Sequence, residues 1–179
     1  MSIFSFGEMN GEHGYKTLDE RAMRGSAGLM LLVAVVAFIY GFIIKKYGVL
    51  PYLSGFLVLN FAIGVFINPK FSPTVFISKL MVRKQVVLPI GAIQKRFAWT
   101  LGLVLSTAIF LMSLKLVGDV TWFDPVCMLC LICLLFLFLE TAFGICVGCQ
   151  TYFLAIRLKL IKRPEVTPNC MGDSCNIEN

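Results

Sequence analysis

The chain has 179 residues, of which 58% are hydrophobic and 15% charged, and its mean hydropathy is +0.84. A soluble domain is usually about 45–50% apolar and about 25% charged. A chain of this size exposes too much of its surface to hide that apolar excess in a core. The composition therefore excludes a soluble globule, a disordered tail and, despite a net charge of +6, a nucleic-acid-binding domain. It predicts an integral membrane protein in a lipid bilayer.

Four apolar stretches are long enough to cross a bilayer, which takes about 20 helical residues. We predict an all-α fold with four transmembrane helices in a hairpin-pair bundle, spanning 27–44, 49–68, 97–115 and 126–148. The remaining parts are an amino-terminal segment (1–26), a basic loop (69–96), a helical extension of the fourth span to about residue 158, and a tail (159–179). The last apolar run exceeds the roughly 30 Å hydrocarbon layer, so its helix either projects beyond the membrane or bends near Gly144 and Gly148.

The basic residues predict the orientation of the bundle. Thirteen Lys and Arg residues lie in the amino-terminal segment, the basic loop, the helical extension and the tail, whereas three lie on the other side. Because cytoplasmic loops are enriched in Lys and Arg, both termini are expected in the cytoplasm. Within the basic loop, apolar residues alternate with cations over Thr74 to Lys84. This segment is either an amphipathic helix on anionic headgroups or a plain basic loop. Upstream, Thr17-Leu-Asp-Glu20 predicts a capping box that opens a short interfacial helix.

Seven cysteines form three groups: Cys127, Cys130 and Cys133 at the outer end of the fourth span, Cys146 and Cys149 near its inner end, and Cys170 and Cys175 in the tail. Helical residues at i and i+3 are neighbours, so such a pair can form a disulfide, bind a soft metal or pass on a persulfide. We assign thiol exchange to the inner pair. The outer C-x-x-C is either a second thiol pair or packing, and the deeper third cysteine is expected to pack.

The tail pair lies in a compartment that keeps thiols reduced, so a standing disulfide is not expected there. Cys170 and Cys175 therefore either capture a metal or sulfur, or have no role. Cys127 and Cys146 are separated by about 28 Å of helix, which places the outer and inner groups at opposite membrane faces. His13, in the polar amino-terminal segment, is the only histidine. A histidine-ligated haem or multi-histidine metal site built by this chain alone is therefore disfavoured.

Glu140 is the only charge deep in a predicted span, and intramembrane carboxylates are functional-site candidates. If the inner boundary lies near Cys146, Glu140 is about 10 Å and Asn60 about 12 Å inside it. A hydrogen bond between Glu140 and Asn60 is therefore predicted. It serves either as structural glue or as a proton or ligand site.

The inner cysteines belong to a longer pattern, Ala142-Phe-Gly144-Ile-Cys146-Val-Gly148-Cys149-Gln-Thr-Tyr152. It resembles the A-F-G-x-C-x-G-C-x-x-Y signature of a bacterial family of small integral membrane proteins, a domain of unknown function. Asn68-Pro-Lys-Phe-Ser-Pro73 and Lys95-Arg-Phe-Ala98 also resemble that family's pattern, and the similarity covers about Leu18 to Leu158. The resemblance implies a bacterial inner membrane and the company of thioredoxin-like or rhodanese-like proteins, and hence thiol or sulfur traffic.

The leading hypothesis is a membrane thiol or sulfur-handling component that exchanges with a cytoplasmic thioredoxin-like or sulfur-carrier partner. A transporter of a small sulfur species or ion, lined by Glu140 and Asn60, is one alternative. An accessory subunit of a larger membrane complex, or a homo-oligomer, is another. The outer Asp124-Pro-Val-Cys127-Met-Leu-Cys130 also resembles thiol–quinone oxidoreductases, which are small four-helix proteins. No cofactor is required by the sequence, and a quinone or a soft metal are the two that the cysteines would suit.

Overall fold

A computed structural model describes residues 6–9 and 15–160. It contains four helical segments long and apolar enough to cross a membrane, over Glu20–Ile43, Tyr47–Ile67, Ala92–Gly118 and Val120–Phe143. The predicted all-α class with four spans is therefore confirmed. Most of the exposed surface of these segments is apolar. On the last of them, for example, the exposed side chains include Met128, Leu131, Leu135 and Phe138. Such surfaces fit the hydrocarbon of a lipid bilayer.

The elements follow one another along the chain with short connections. The α-helices are α1 (Glu20–Phe38), α2 (Leu50–Ala62), α3 (Pro73–Val82), α4 (Ala92–Gly118), α5 (Phe123–Phe138) and α6 (Val147–Arg157). The strands are β1 (Glu8–Met9), β2 (Lys16–Asp19) and β3 (Pro89–Gly91). Helices α1, α2 and α5 each continue into a five-residue π-helical turn, over Ile39–Ile43, Ile63–Ile67 and Leu139–Phe143. Single 3-10 turns cover Tyr47–Val49, Pro69–Phe71 and Val120–Trp122.

The four spans pack as an antiparallel bundle around α4. Helix α2 packs along α4, α5 contacts both α1 and α4, α3 lies on α1, and α6 lies on α4. Helices α1 and α4 begin at the end of the bundle where α2 and α5 finish. We call this the basic end, because it also carries α3 and α6 with their Lys and Arg residues.

A small antiparallel sheet at the basic end replaces the predicted capping box. Strand β2 pairs with β1 on one side and β3 on the other, with Thr17 opposite Gly91 and Asp19 opposite Pro89. Helix α1 therefore begins at Glu20, and its N-cap is Asp19, whose carboxylate accepts from the Arg21 N–H. The first span is longer than predicted, because α1 runs from this cap into the bundle without a separate interfacial helix.

Helix α3 lies within the basic loop and is fastened to α1 by small polar side chains. Ser78 donates to the Ala22 carbonyl at 2.8 Å, and the Ser26 and Thr74 hydroxyls are 2.7 Å apart. The apolar residues of this segment do not share one face. Val75 is fully buried, whereas Phe76 and Leu80 are 59% and 57% exposed. Small residues at the α1–α3 contact allow close helix approach, so the large apolar side chains point outward.

The Asn60 side chain of α2 forms hydrogen bonds to the start of α3. Its side-chain oxygen accepts from the Ser72 hydroxyl at 2.7 Å, the Thr74 hydroxyl at 3.0 Å and the Thr74 N–H at 3.2 Å. Its amide nitrogen donates to the Met30 sulfur at 3.3 Å. The side chain is fully buried, so these contacts satisfy a polar group that would otherwise be costly at this depth.

Replacement of Asn60 by Ala should destabilise the bundle by about 2 kcal/mol, because three hydrogen bonds to its oxygen are lost at about 0.6 kcal/mol each. Thermal or denaturant unfolding of the detergent-solubilised chain measures the change. Thr100→Ala is the matched control, because the exposed Thr100 hydroxyl bonds only to the Arg96 carbonyl of its own helix. Equal losses in the two variants would contradict the role assigned to Asn60.

Candidate functional site

The fourth span ends at Phe143, so the long apolar run is broken at Gly144, one of the two predicted bend positions, and does not continue as one straight helix to about residue 158. Gly144 follows in the left-handed conformation, with φ at 69°, which a glycine adopts without the steric cost of a Cβ. The Arg24 guanidinium of α1 donates to the Thr141 carbonyl at 3.1 Å and the Ala142 carbonyl at 3.3 Å. These bonds satisfy carbonyls that the helix end leaves without partners, and they place a cation at the negative end of the helix dipole.

The C-x-x-C pair forms the start of the next helix, α6. Cys146 is the N-cap, and its sulfur accepts from the Cys149 N–H at 3.3 Å. Both cysteines lie beyond the end of the fourth span, and each is 3% exposed. A sulfur at a helix N-terminus lies in the positive field of the unpaired backbone amides, which favours its thiolate form.

Lys95, in the first turn of α4, brings a positive charge to the same place. Its ammonium is 1% exposed, forms an ion pair with the Glu140 carboxylate and lies 3.9 Å from the Cys146 sulfur. Glu140 belongs to the π-helical turn that ends the fourth span. Three consecutive pieces of structure, the start of α4, the end of α5 and the start of α6, therefore meet at one buried ammonium.

Close packing between α4 and α6 keeps this arrangement compact. A Cβ at Gly148 would lie 2.5 Å from the Ala98 Cβ, so only a glycine allows the two helices to approach this closely. The rings of Phe97 and Tyr152 pack one turn further along, with centroids 5.6 Å apart. Gly148 therefore allows a close helix contact, whereas Gly144 allows the chain reversal.

The two cysteines of the pair differ in the direction of their pKa shifts. The pKa of Cys146 lies below its ordinary value because the Cys149 thiol donates a hydrogen bond to it, and the Lys95 ammonium acts in the same direction against the effect of burial. The same hydrogen bond and burial raise the pKa of Cys149. Of the two thiols, Cys146 is therefore the more readily deprotonated.

The predicted hydrogen bond between Glu140 and Asn60 is wrong. Glu140 pairs with Lys95, and Asn60 bonds to Ser72, Thr74 and Met30. The two residues lie at similar depths, but depth does not determine toward which neighbour each helix directs its side chain. Two signals in the sequence point to Lys95: a carboxylate within a span requires a positive partner, and Lys95 lies just before a predicted span.

The outer cysteines lie at the other end of the bundle. Cys127, Cys130 and Cys133 all belong to α5, and Cys130 packs against Leu116 near the far end of α4. Since Lys95 and Leu116 are separated by about 30 Å of helix, the outer and inner groups are distinct sites. The five cysteines within 15–160 are free thiols, and no three metal-binding side chains converge in this described part of the chain. The predicted tail ligands, Cys170 and Cys175, and also His13, lie outside the described residues.

The family model of a domain of unknown function (DUF4395) matches residues 18–157. The chain belongs to this family. No curated protein and no solved structure matches it significantly. The matched range of the family contains all of Lys95, Glu140, Cys146 and Cys149.

Lys95→Met should destabilise the protein by about 3 kcal/mol, because it leaves the Glu140 carboxylate buried without its counter-ion. In the double variant Lys95→Met/Glu140→Met both charges are absent, so most of this loss should be recovered. Denaturant unfolding of the full chain in detergent gives the coupling free energy between Lys95 and Glu140. Lys115→Met, at the exposed end of the same helix over the Trp122 ring, is the control and should cost under about 1 kcal/mol. Additive losses in the double variant would show that the two residues do not act as a pair.

Proposed function

We propose that this protein is a membrane thiol-exchange component, in which Cys146 and Cys149 exchange with a cytoplasmic thioredoxin-like or sulfur-carrier partner. One observation carries the proposal. Cys146 caps α6, accepts the Cys149 N–H and lies 3.9 Å from a buried ammonium. A structural cysteine is inert because apolar burial raises its pKa, whereas reactive cysteines sit in electropositive environments of this kind.

Disulfide exchange at this pair proceeds in two displacements. The Cys146 thiolate attacks one sulfur of the partner's disulfide, and the other partner sulfur leaves as a thiolate that takes up a proton. Cys149 then loses its proton and attacks Cys146, which releases the first partner sulfur as a thiolate that is protonated in turn. The partner's disulfide is reduced to two thiols, and Cys146 and Cys149 are oxidised to a disulfide.

The same thiolate suits a persulfide-bearing partner. Attack of Cys146 on the outer sulfur of a partner persulfide transfers that sulfur to Cys146 and releases the partner's cysteine as a thiolate. The released thiolate takes up one proton, and no external oxidant or reductant is needed for this transfer. Attack of Cys149 on the new persulfide would expel hydrosulfide and leave the Cys146–Cys149 disulfide. Both routes therefore use Cys146 first and Cys149 second.

Access to the sulfurs requires a local movement. Both cysteines are 3% exposed, so a folded partner reaches them only when α6 separates from α4. The three residues between the fourth span and α6, with Gly144 in its left-handed conformation, form the natural hinge for this movement. In this proposal, α6 is the element that opens the site.

We place the basic end of the bundle in the cytoplasm of a bacterial inner membrane. The asymmetry of thirteen basic residues against three supports this orientation. The cysteine pair lies at the same end, beyond the fourth span, where a cytoplasmic carrier protein would meet it. The bacterial membrane and the carrier partner come from the family resemblance of the inner cysteine signature.

Cys149→Ser should trap an adduct at Cys146, because the attacking thiolate remains and the resolving thiol is lost. Cells expressing the full chain are quenched in acid, and the mixed disulfide or persulfide is detected on non-reducing gels and by mass spectrometry. The reciprocal Cys146→Ser should trap far less, since Cys149 keeps its proton. Cys133→Ser, a buried cysteine of α5, is the matched control and should trap nothing. If neither inner variant traps an adduct and Cys146→Ala/Cys149→Ala retains the cellular phenotype, the cysteines are packing residues.

The orientation is tested with single accessible reporter cysteines in a background carrying Cys127→Ser, Cys130→Ser, Cys170→Ser and Cys175→Ser, which leaves only the buried thiols. Lys84→Cys reports on the basic end and Lys46→Cys on the opposite end, and both positions are exposed. In intact spheroplasts a membrane-impermeant maleimide should modify only Lys46→Cys, and after lysis it should modify both. The reverse pattern in spheroplasts would overturn the proposed orientation.

A further inference from the structure

A cleft of about 530 Å³ opens at the basic end, away from the cysteine pair. It lies between β2, the start of α1, the 3-10 turn Pro69–Phe71 and α3. Among the residues that the structure describes, its charged lining consists of Lys70, Lys79, Arg83 and Asp19. Its volume lies in the range of small-ligand pockets, about 300–1,000 Å³.

The Asp19 carboxylate at the cleft accepts hydrogen bonds from backbone N–H groups. The Asp19 carboxylate accepts from the N–H of Arg21 at 3.2 Å and from the N–H of Leu88 at 3.5 Å. It caps α1 and ties the loop before β3 to that cap. Its oxygens are therefore engaged with the backbone at the edge of the cleft.

The backbone under Lys70 is held by a buried turn. The Asn68 side chain accepts the Lys70 N–H at 3.1 Å, and Ser72, two residues further on, donates to the buried Asn60. Asn68, Pro69 and Ser72 are all buried. This gives the Asn68-Pro-Lys-Phe-Ser-Pro73 motif a structural purpose, because it fixes one cation at the wall of the cleft.

Lys70 and Lys79 line the same cleft, and the charge of Lys79 acts on Lys70. Burial, and the positive charge of Lys79, hold the pKa of Lys70 below its ordinary value. Burial also lowers the pKa of Lys79, against the opposing effect of Asp19. An anion between the two ammonium groups would relieve this repulsion.

We propose that this cleft binds a phosphate group, carried either by an anionic phospholipid or by a soluble phosphate ester. Lys and Arg clusters at the cytoplasmic side of transmembrane helices are typical headgroup sites. The outer surface of α3 supports a position at the membrane boundary, because Phe76, Leu80 and Met81 are exposed on the helix that also carries Lys79. The site shares no lining residue with the cysteine pair and does not depend on the proposed thiol exchange.

Native mass spectrometry of the full chain in detergent tests the proposal with three probes: phosphatidylglycerol, phosphatidylcholine and glycerol 3-phosphate. Wild type should bind phosphatidylglycerol, glycerol 3-phosphate or both more tightly than the zwitterionic phosphatidylcholine. Lys70→Gln/Lys79→Gln should weaken that binding about tenfold, because charge-assisted hydrogen bonds are lost. The matched control is Lys84→Gln/Arg96→Gln, which removes two exposed charges from the same end outside the cleft and should change the Kd by less than about twofold.

The probes separate the two sources of phosphate. Binding of phosphatidylglycerol that glycerol 3-phosphate does not displace assigns a lipid headgroup, and displacement assigns a soluble ester. The proposal is overturned if neither phosphatidylglycerol nor glycerol 3-phosphate binds more tightly than phosphatidylcholine. It is also overturned if the cleft variant and the control variant lose affinity equally. If Lys70→Gln/Lys79→Gln does not keep the wild-type Tm, the exposed Arg83→Gln replaces it. That variant should weaken binding about threefold, and unchanged binding would count against the site.

Discussion

A buried ammonium constrains the basic end of this protein more than any other single group. Lys95 is almost fully removed from solvent, and a charge in that position is tolerated only beside groups of opposite sign that also accept its hydrogen bonds. Glu140 supplies a carboxylate from the end of the fourth span, and Cys146 supplies a sulfur from the cap of α6. The meeting of α4, α5 and α6 is thus an electrostatic requirement as well as a packing arrangement.

The same requirement explains why the chain interrupts its fourth helix where it does. Irregular backbone near a membrane is tolerated when its polar groups are satisfied within the protein. Arg24 covers the carbonyls at the end of the span, and the Cys146 sulfur covers an amide at the start of α6. The Cys149 N–H that this sulfur accepts also favours the thiolate form of Cys146. Structure and proposed chemistry therefore share one set of contacts.

Helix α3 presents chemically different side chains to the bundle and to its surroundings. Small hydroxyl side chains fasten α3 to α1 and to Asn60, and they leave its large apolar side chains facing outward. The helix thereby acquires a dry, hydrogen-bonded inner side and an apolar outer side suited to lipid. Lys79 of this helix and Arg83, which follows its last residue, line the cleft together with Lys70. The cleft and the cysteine pair occupy the same end of the bundle without sharing residues.

The sequence by itself determined the membrane class, the four spans and the family, because long apolar runs and similarity to a family are read along the chain without knowledge of packing. It also singled out Glu140 and Cys146. Only the tertiary structure decided that Lys95, 45 residues before Glu140, is the partner of that carboxylate, and that Asn60 serves α3 instead. Helical periodicity gives the relative angles of residues within one helix, whereas the rotation of each helix about its own axis depends on its neighbours. The pairing of distant polar groups is fixed by that rotation.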